Sequence, residues 1–164
     1  MEGQRKILNG TFEIALRVLA ILTTCKKALT VERICVYSYF ALYLADYSQG
    51  ERSIHPEIPY RNSSYINSND VMMKALGLLL TKGLAECDLN SSSLKFKTTD
   101  LGMVVYEKIN VSYKTKLVDS IKKVHELMKG KTDRNLNDYV YNNMEKWGSE
   151  FQYESLLKEL GYAE

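Results

Sequence analysis

Both prolines of the chain lie in one polar stretch, RSIHPEIPYRNSSY at residues 52–65, which interrupts a sequence of otherwise helical periodicity. Proline fixes its own backbone and biases the preceding residue towards extended conformations, so neither His55 nor Ile58 can lie inside a helix. A connection of this length in a compact domain is usually either functional or disordered. Because two prolines restrict the unfolded chain, and Ile54 and Ile58 offer apolar anchors, we expect an ordered loop that serves an interface.

An ordered loop would hold His55, Tyr60 and Arg61 in fixed positions, so these three are candidate partner-binding residues. Arg61 could form a two-pronged contact with a partner carboxylate, and Tyr60 could bury its ring. A second interpretation stays open, in which Arg61 pairs with an acid of its own chain and the loop braces the neighbouring helices.

Apolar residues recur at helical spacing on both sides of this loop. The spacing predicts a first helix over 12–25 with Thr11 as its N-cap, and a second helix over 31–48. After the loop, a third helix is predicted from a cap at Asn67 to a stop at Gly83.

Two short segments, 84–89 and 94–98, then predict a β-hairpin, because turn-forming residues join them. A further helix is expected from a cap near Thr99. Three helices, a hairpin and another helix is the order typical of a winged helix.

Helical periodicity continues to the C-terminus, with helices predicted over 113–130, 133–147 and 151–161. We therefore predict a mainly α fold with a small β-hairpin. Residues 10–110 would form a winged-helix domain with an inserted proline-containing loop at 49–66, and residues 111–164 would form a C-terminal helical extension.

The composition excludes general disorder and gives no sign of a strongly basic protein. Of the 164 residues, 45% are hydrophobic, and 22 basic and 20 acidic residues are mixed along the chain for a net charge of +2. A protein that binds nucleic acid mainly through its electrostatic field would be more one-sided. The polar first ten residues and the charges at Glu13 and Arg17 argue against a signal peptide or a membrane span, so we expect a cytoplasmic protein.

The sequence carries no motif of a known catalytic, nucleotide or metal site. The three cysteines lack CxxC spacing, and we expect Cys25 and Cys35 to be buried thiols. His55 and His125 are far apart and have no cysteine beside them, and we expect His125 on the surface. We therefore expect no enzyme activity, no cofactor and no metal.

The third predicted helix is more apolar than one buried face requires. Its polar strip consists of Lys74, Gly77 and Thr81. A helix that reads DNA bases would instead present arginine, asparagine or glutamine side chains. The other positions cover more than half of the circumference with apolar side chains: Val71, Met72, Met73, Ala75, Leu76, Leu78, Leu79 and Leu80.

The second predicted helix is also apolar on all sides and is rich in tyrosine. Tyrosine suits buried protein contacts, because its ring is apolar and its hydroxyl is polar. The candidate partner contacts on the two helices are therefore Tyr37, Tyr39, Tyr43, Met72 and Met73. The alternative is that both helices lie at the centre of a small core and need no partner.

Three lysines, Lys82, Lys95 and Lys97, lie at or in the predicted hairpin. In nucleic-acid-binding winged helices the hairpin touches phosphate, so these are candidate contacts to the DNA backbone. An ordinary solvated face is the alternative, because Glu86 and Asp88 lie among them.

Five segments between residues 10 and 130 resemble the middle component of bacterial ABC-type three-component systems, including the small accessory subunit of Lamassu-type anti-phage defence: FEIALRVLAIL, ERICVYSYFALYLADYSQG, SIHPEIPYR, ALGLLLTKGLAE and LKFKTTDLG. The most specific of them is SIHP, with Pro59 and Arg61 after it. The rest of the similarity is a generic winged-helix pattern.

The resemblance implies a non-catalytic accessory subunit of an SMC-like ATPase complex for anti-phage or anti-plasmid defence. In such a hetero-oligomer the subunit links the ATPase to its effector nuclease. It would reach DNA only through the complex, and would involve no membrane and no small-molecule substrate. The alternative function is a winged-helix DNA-binding transcriptional regulator.

Overall fold

The computed structural model describes residues 10–58, 60–66 and 68–147. It is mainly α with one two-stranded antiparallel hairpin, which confirms the predicted class. The elements in chain order are α1 (Thr11–Cys25), α2 (Val31–Leu42), a 3₁₀ turn (Leu44–Asp46), α3 (Ser63–Ile66), α4 (Ser68–Thr81), β1 (Ala85–Asp88), β2 (Lys95–Thr98), α5 (Asp100–Lys108), α6 (Ser112–Met128) and α7 (Asp133–Asn143).

The segment between α1 and α2 joins the hairpin. Leu29 forms a β-bridge with Phe96 through backbone hydrogen bonds of 2.9 and 2.8 Å, and β1 pairs with β2 so that Ala85 lies opposite Thr98. The order α1, β-bridge, α2, α4 and β1–β2 hairpin is the one expected of a winged helix, with the 3₁₀ turn and α3 inserted between α2 and α4. The winged-helix interpretation of residues 10–110 stays a prediction, as does the boundary at residue 110.

Threonine side chains begin three of the helices. The hydroxyls of Thr30, Thr99 and Thr132 each accept a hydrogen bond from the backbone N–H three residues later. These bonds satisfy N–H groups that have no partner inside the helix. The predicted cap at Thr99 is confirmed.

The start of α1 differs from the prediction. Thr11 is the first helical residue, and Gly10 occupies the N-cap position without a side-chain hydrogen bond. The predicted cap at Asn67 and the predicted helix over 151–161 lie outside the described residues.

α2 ends at Leu42, earlier than the predicted end near residue 48. At Tyr43 the backbone leaves the helical conformation, with φ −123° and ψ 55°. The Leu42 carbonyl then accepts hydrogen bonds from the N–H groups of Ile54 and His55, at 3.0 and 3.2 Å. The proline loop therefore terminates this helix.

The centre of the core is α2, in which every residue from 34 to 42 is buried. The C-terminal helices cover it. Ser120 in α6 donates to the Ala41 carbonyl at 2.7 Å, and the Tyr37 hydroxyl lies 3.2 Å from Nδ1 of His125. The apolar residues around α2 are thus covered by the chain's own helices, and His125 is half-buried rather than simply on the surface.

A polar cluster attaches the turn between α6 and α7 to the start of α2. Nε of Arg33 and the hydroxyl of Thr30 donate to the two carboxylate oxygens of Asp133, each at 2.6 Å. Arg33 also donates to the carbonyls of Met128 and Lys131. One guanidinium therefore holds both ends of this turn.

Cys25 and Cys35 are buried, as predicted. Burial raises the pKa of the Cys25 thiol to about 12, because the thiolate would lose its hydration. Burial raises the pKa of Cys35 as well. Both thiols are therefore protonated at neutral pH.

Candidate partner-binding surfaces

The first half of the proline loop is fixed to the end of α2 by backbone hydrogen bonds. Besides the two bonds to the Leu42 carbonyl, the Ser53 hydroxyl accepts a bond from the Ala45 N–H at 3.1 Å. Nε2 of His55 lies 2.8 Å from the hydroxyl of Tyr113 in α6. Residues 53–55 are therefore held against the chain's own helices, and His55 faces α6 rather than only solvent.

Arg61 anchors the second half of the loop inside the protein. Its Nε and Nη2 donate to the two oxygens of Asp46, at 2.9 and 2.7 Å, and the residue is 2% exposed. Tyr39 donates to the same carboxylate at 2.8 Å. The two-pronged contact thus exists with an acid of its own chain, as in the bracing interpretation. A direct partner contact of Arg61 stays a prediction.

Burial, together with its hydrogen bond to Asp46, raises the pKa of the Tyr39 hydroxyl well above its ordinary value. The hydroxyl therefore stays a hydrogen-bond donor at every physiological pH. The carboxylate of Asp46 accordingly receives three hydrogen bonds from Tyr39 and Arg61, which compensates for the cost of its burial.

Next to this anchor, the loop presents apolar side chains to solvent. Tyr60 is 57% exposed and has a φ of +58°, a left-handed conformation that costs a residue with a side chain about 1–2 kcal/mol. Ile58 is also exposed. The buried Arg61 thus fixes a backbone that holds a tyrosine ring outward.

The tyrosines of α2 lie in the core. Tyr37, Tyr39 and Tyr43 are buried, and Tyr39 stacks on Trp147 with ring centroids 5.1 Å apart. In the folded chain these tyrosines are therefore core residues. Their role as direct partner contacts stays a prediction. The predicted group did not include Trp147, because its position over α2 depends on how the chain returns.

The two methionines of α4 differ in their burial. Met72 is buried in the core, whereas Met73 is 51% exposed. The partner contacts of both residues stay predictions. Leu80 is exposed on the same side of the helix, and Gly77 lies between them with open space where a Cβ would stand. The outer face of α4 therefore carries two exposed apolar side chains with a shallow gap at Gly77, next to the exposed polar residues Lys74 and Thr81.

The hairpin lysines have acidic neighbours. Lys97 lies opposite Glu86 on the other strand, with 3.4 Å between Nζ and Oε1, and Lys95 lies opposite Asp88. Lys82 is exposed at the end of α4. Opposite charges across the strands reduce the net positive field of the hairpin, and the DNA-backbone contacts stay a prediction.

A cavity of about 330 Å³ lies beside α1 and α6 and was not anticipated from the sequence. Leu16 and Leu117 contribute apolar walls, and Arg17, His55 and Tyr113 contribute polar groups. These residues come from separate parts of the chain, so no sequence motif unites them.

Comparison of the sequence with known protein families assigns the chain to one of them. The model for the ABC-three component (ABC-3C) system Middle Component 2 matches residues 7–150, most of the chain. The chain belongs to this family, whose description makes it one component of a multi-component system. No curated protein and no solved structure matches the chain.

Among the helices of the described residues, none combines the length and hydrophobicity needed to cross a bilayer. The His, Cys, Asp and Glu side chains of the described residues form no group of three or more that could hold a metal ion.

Proposed function

We propose that the chain is a non-catalytic accessory subunit of an SMC-like ATPase complex of the Lamassu type, acting in anti-phage or anti-plasmid defence in the cytoplasm. In this proposal it links the ATPase to an effector nuclease and reaches DNA only through the complex. The observation that carries the proposal is the match of residues 7–150 to the Middle Component 2 family.

The outer face of α4 supports a protein-binding role. In a DNA-reading winged helix this helix would present polar side chains to base edges. Here Met73 and Leu80 are exposed on either side of Gly77, and the polar side chains beside them, Lys74 and Thr81, include no arginine, asparagine or glutamine. Exposed apolar residues around a glycine suit the close approach of a partner's apolar side chain.

The loop supplies a second contact region in this proposal. Ile58 and Tyr60 are exposed on a backbone that the Arg61–Asp46 pair holds in place. A rigid aromatic side chain loses little conformational entropy on binding, which favours it as an anchor.

Co-purification from the native operon tests the proposal. Tagged subunit should capture both the ATPase and the effector, and deleting the subunit should abolish capture of the effector by the ATPase. Assembly of ATPase and effector without the subunit would contradict the linking role.

A matched pair of variants tests the α4 surface. Gly77→Gln should reduce capture of one partner, because its side chain fills the gap between Met73 and Leu80 and its Cβ meets nothing within 4 Å. Lys122→Gln, at an exposed position of α6, is the control and should leave capture unchanged. Equal capture by both variants would rule out this face as the interface.

The winged-helix order also fits the alternative, a DNA-binding regulator, and duplex titration separates the two. We expect the free subunit to bind DNA weakly and without sequence preference at physiological salt, since its basic groups are interspersed with acids. Nanomolar, sequence-specific binding would favour the regulator.

A further inference from the structure

The cavity beside α1 contains a cation that the protein buries without fully satisfying. Arg17 is only 9% exposed. Its Nη1 donates to the Ser38 hydroxyl at 3.4 Å, a long hydrogen bond, and its other guanidinium nitrogens make none within the described residues. A guanidinium has five N–H donors, so most of those of Arg17 have no acceptor among the described residues and are available to a ligand in the cavity.

Glu13, one helical turn before Arg17, compensates for this charge only in part. The two side chains form no ion pair at contact distance in the described structure. Burial raises the pKa of Glu13, although the nearby Arg17 lowers it, so the carboxyl takes up a proton more readily than usual. Its Oε2 is shielded from solvent and has no hydrogen-bond partner among the described residues.

The second cation at the cavity is already engaged. Nζ of Lys114 donates to the carbonyls of Tyr106 and Glu107, at 2.7 and 3.3 Å, and lies 4.5 Å from the centre of the Tyr106 ring. These carbonyls end α5, where a positive charge is favourable. Of the two cations that line the cavity, Arg17 therefore has more donors to spare than Lys114.

The rest of the lining is mostly apolar, with Leu16, Ile109, Val111 and Leu117 on its walls. A cavity of about 330 Å³ is at the lower end of the range for small-molecule sites. An arginine at an apolar cavity matches a ligand with one planar anionic head and an apolar body, because a guanidinium binds a carboxylate through two parallel hydrogen bonds.

We propose that this cavity is a binding site for a small monocarboxylic acid with an apolar tail, whose carboxylate pairs with Arg17. The carboxylate supplies the acceptors that the guanidinium lacks, and the tail occupies the space between α1 and α6. A phosphate dianion fits less well because Glu13 adds negative charge nearby, and an amine is repelled by Arg17 and Lys114.

A head-group series on the wild-type protein tests the proposal without any mutation. The full chain is titrated with octanoate, octan-1-ol and octylamine, which share a tail, and binding is followed by calorimetry and by the melting temperature. Octanoate should bind and raise the melting temperature, and the alcohol and the amine should bind at least about tenfold more weakly, as expected for loss of a charge-assisted hydrogen-bond pair. Equal binding of octanoate and octanol, or no binding of octanoate, would overturn the proposal.

A variant pair then tests Arg17 itself. Arg17→Met keeps the length of the side chain and removes the charge, and should weaken octanoate binding about tenfold or more. Arg134→Met, at an exposed position of α7, removes a cation elsewhere and should leave the affinity unchanged. Circular dichroism establishes that each variant is folded, and unchanged octanoate affinity in folded Arg17→Met would exclude Arg17 as the carboxylate partner.

Discussion

Arg61 and Tyr60 are neighbours in sequence but have opposite surroundings. Arg61 is buried against Asp46, and Tyr60 is exposed. Removing one member of a buried ion pair leaves the other uncompensated, so Arg61→Ala should lower the free energy of unfolding by about 3–5 kcal/mol. Tyr60→Ala should change it by about 1 kcal/mol or less. Urea unfolding of both variants measures the difference.

The same two variants distinguish a residue that stabilises the loop from one that binds a partner. Tyr60→Ala should lose capture of the ATPase or the effector while its melting temperature stays close to that of the wild type. If Tyr60→Ala captures both partners at the wild-type level, the exposed ring is not an interface residue.

His55 should make the free energy of unfolding depend on pH. Burial, and secondly the positive charge of Arg17, lower its pKa below the ordinary value. The folded state then binds fewer protons than the unfolded state, so the free energy of unfolding should decrease as pH falls below about 6.5, the ordinary pKa of histidine. Above that pH this contribution is complete and constant.

The comparison with His55→Gln isolates this contribution. Urea unfolding between about pH 5 and 7.5 should show a smaller loss of stability at low pH in the variant than in the wild type. Glu13, whose pKa is raised, acts with the opposite sign and is present in both proteins. Parallel curves for the two proteins would mean that His55 does not contribute.

Two glycines in helices α4 and α5 should respond to alanine in opposite ways. A Cβ at Gly77 would meet nothing within 4 Å, so Gly77→Ala should stabilise the protein by about 0.5–1 kcal/mol through helix propensity. A Cβ at Gly102 would lie within 2.5 Å of the Thr98 hydroxyl oxygen and closer still to the Leu84 carbonyl oxygen, so Gly102→Ala should destabilise by about 1–3 kcal/mol. Thermal melts of the two variants decide whether α5 needs this close approach to Leu84 and Thr98.

The C-terminal helix α7 should be essential for the integrity of the core. A chain that ends after Lys131 loses Asp133, the partner of Arg33, and uncovers Tyr39, on which Trp147 stacks. It should bind a hydrophobic dye and tend to aggregate, because the apolar sides of α2 become exposed. A chain that ends after Trp147 is the control and should bind little dye. Equal dye binding by both chains would contradict this role of α7.

Local patterns were sufficient for most of the secondary structure. The helical spacing of apolar residues, the threonine before Asp100 and the turn formers between the strands predicted α1, the hairpin and α5 closely. These features depend on residues a few positions apart, and local sequence determines such interactions. The end of α2 was missed because the groups that terminate it, the N–H groups of Ile54 and His55, arrive from the next loop.

The roles of individual side chains depended on long-range packing. A helical wheel counts apolar residues around α2 but does not reveal what covers them, so core and interface were equally compatible with Tyr37 and Tyr39. The same limit applies to Arg17, which is a charged residue in the sequence and a buried cation in the fold. Sequence therefore determined most of the helices and strands, but not the end of α2 or the short helix α3. The packing of α6 and α7 against α1 and α2 decided which faces are buried, because burial depends on contacts between residues far apart in the chain.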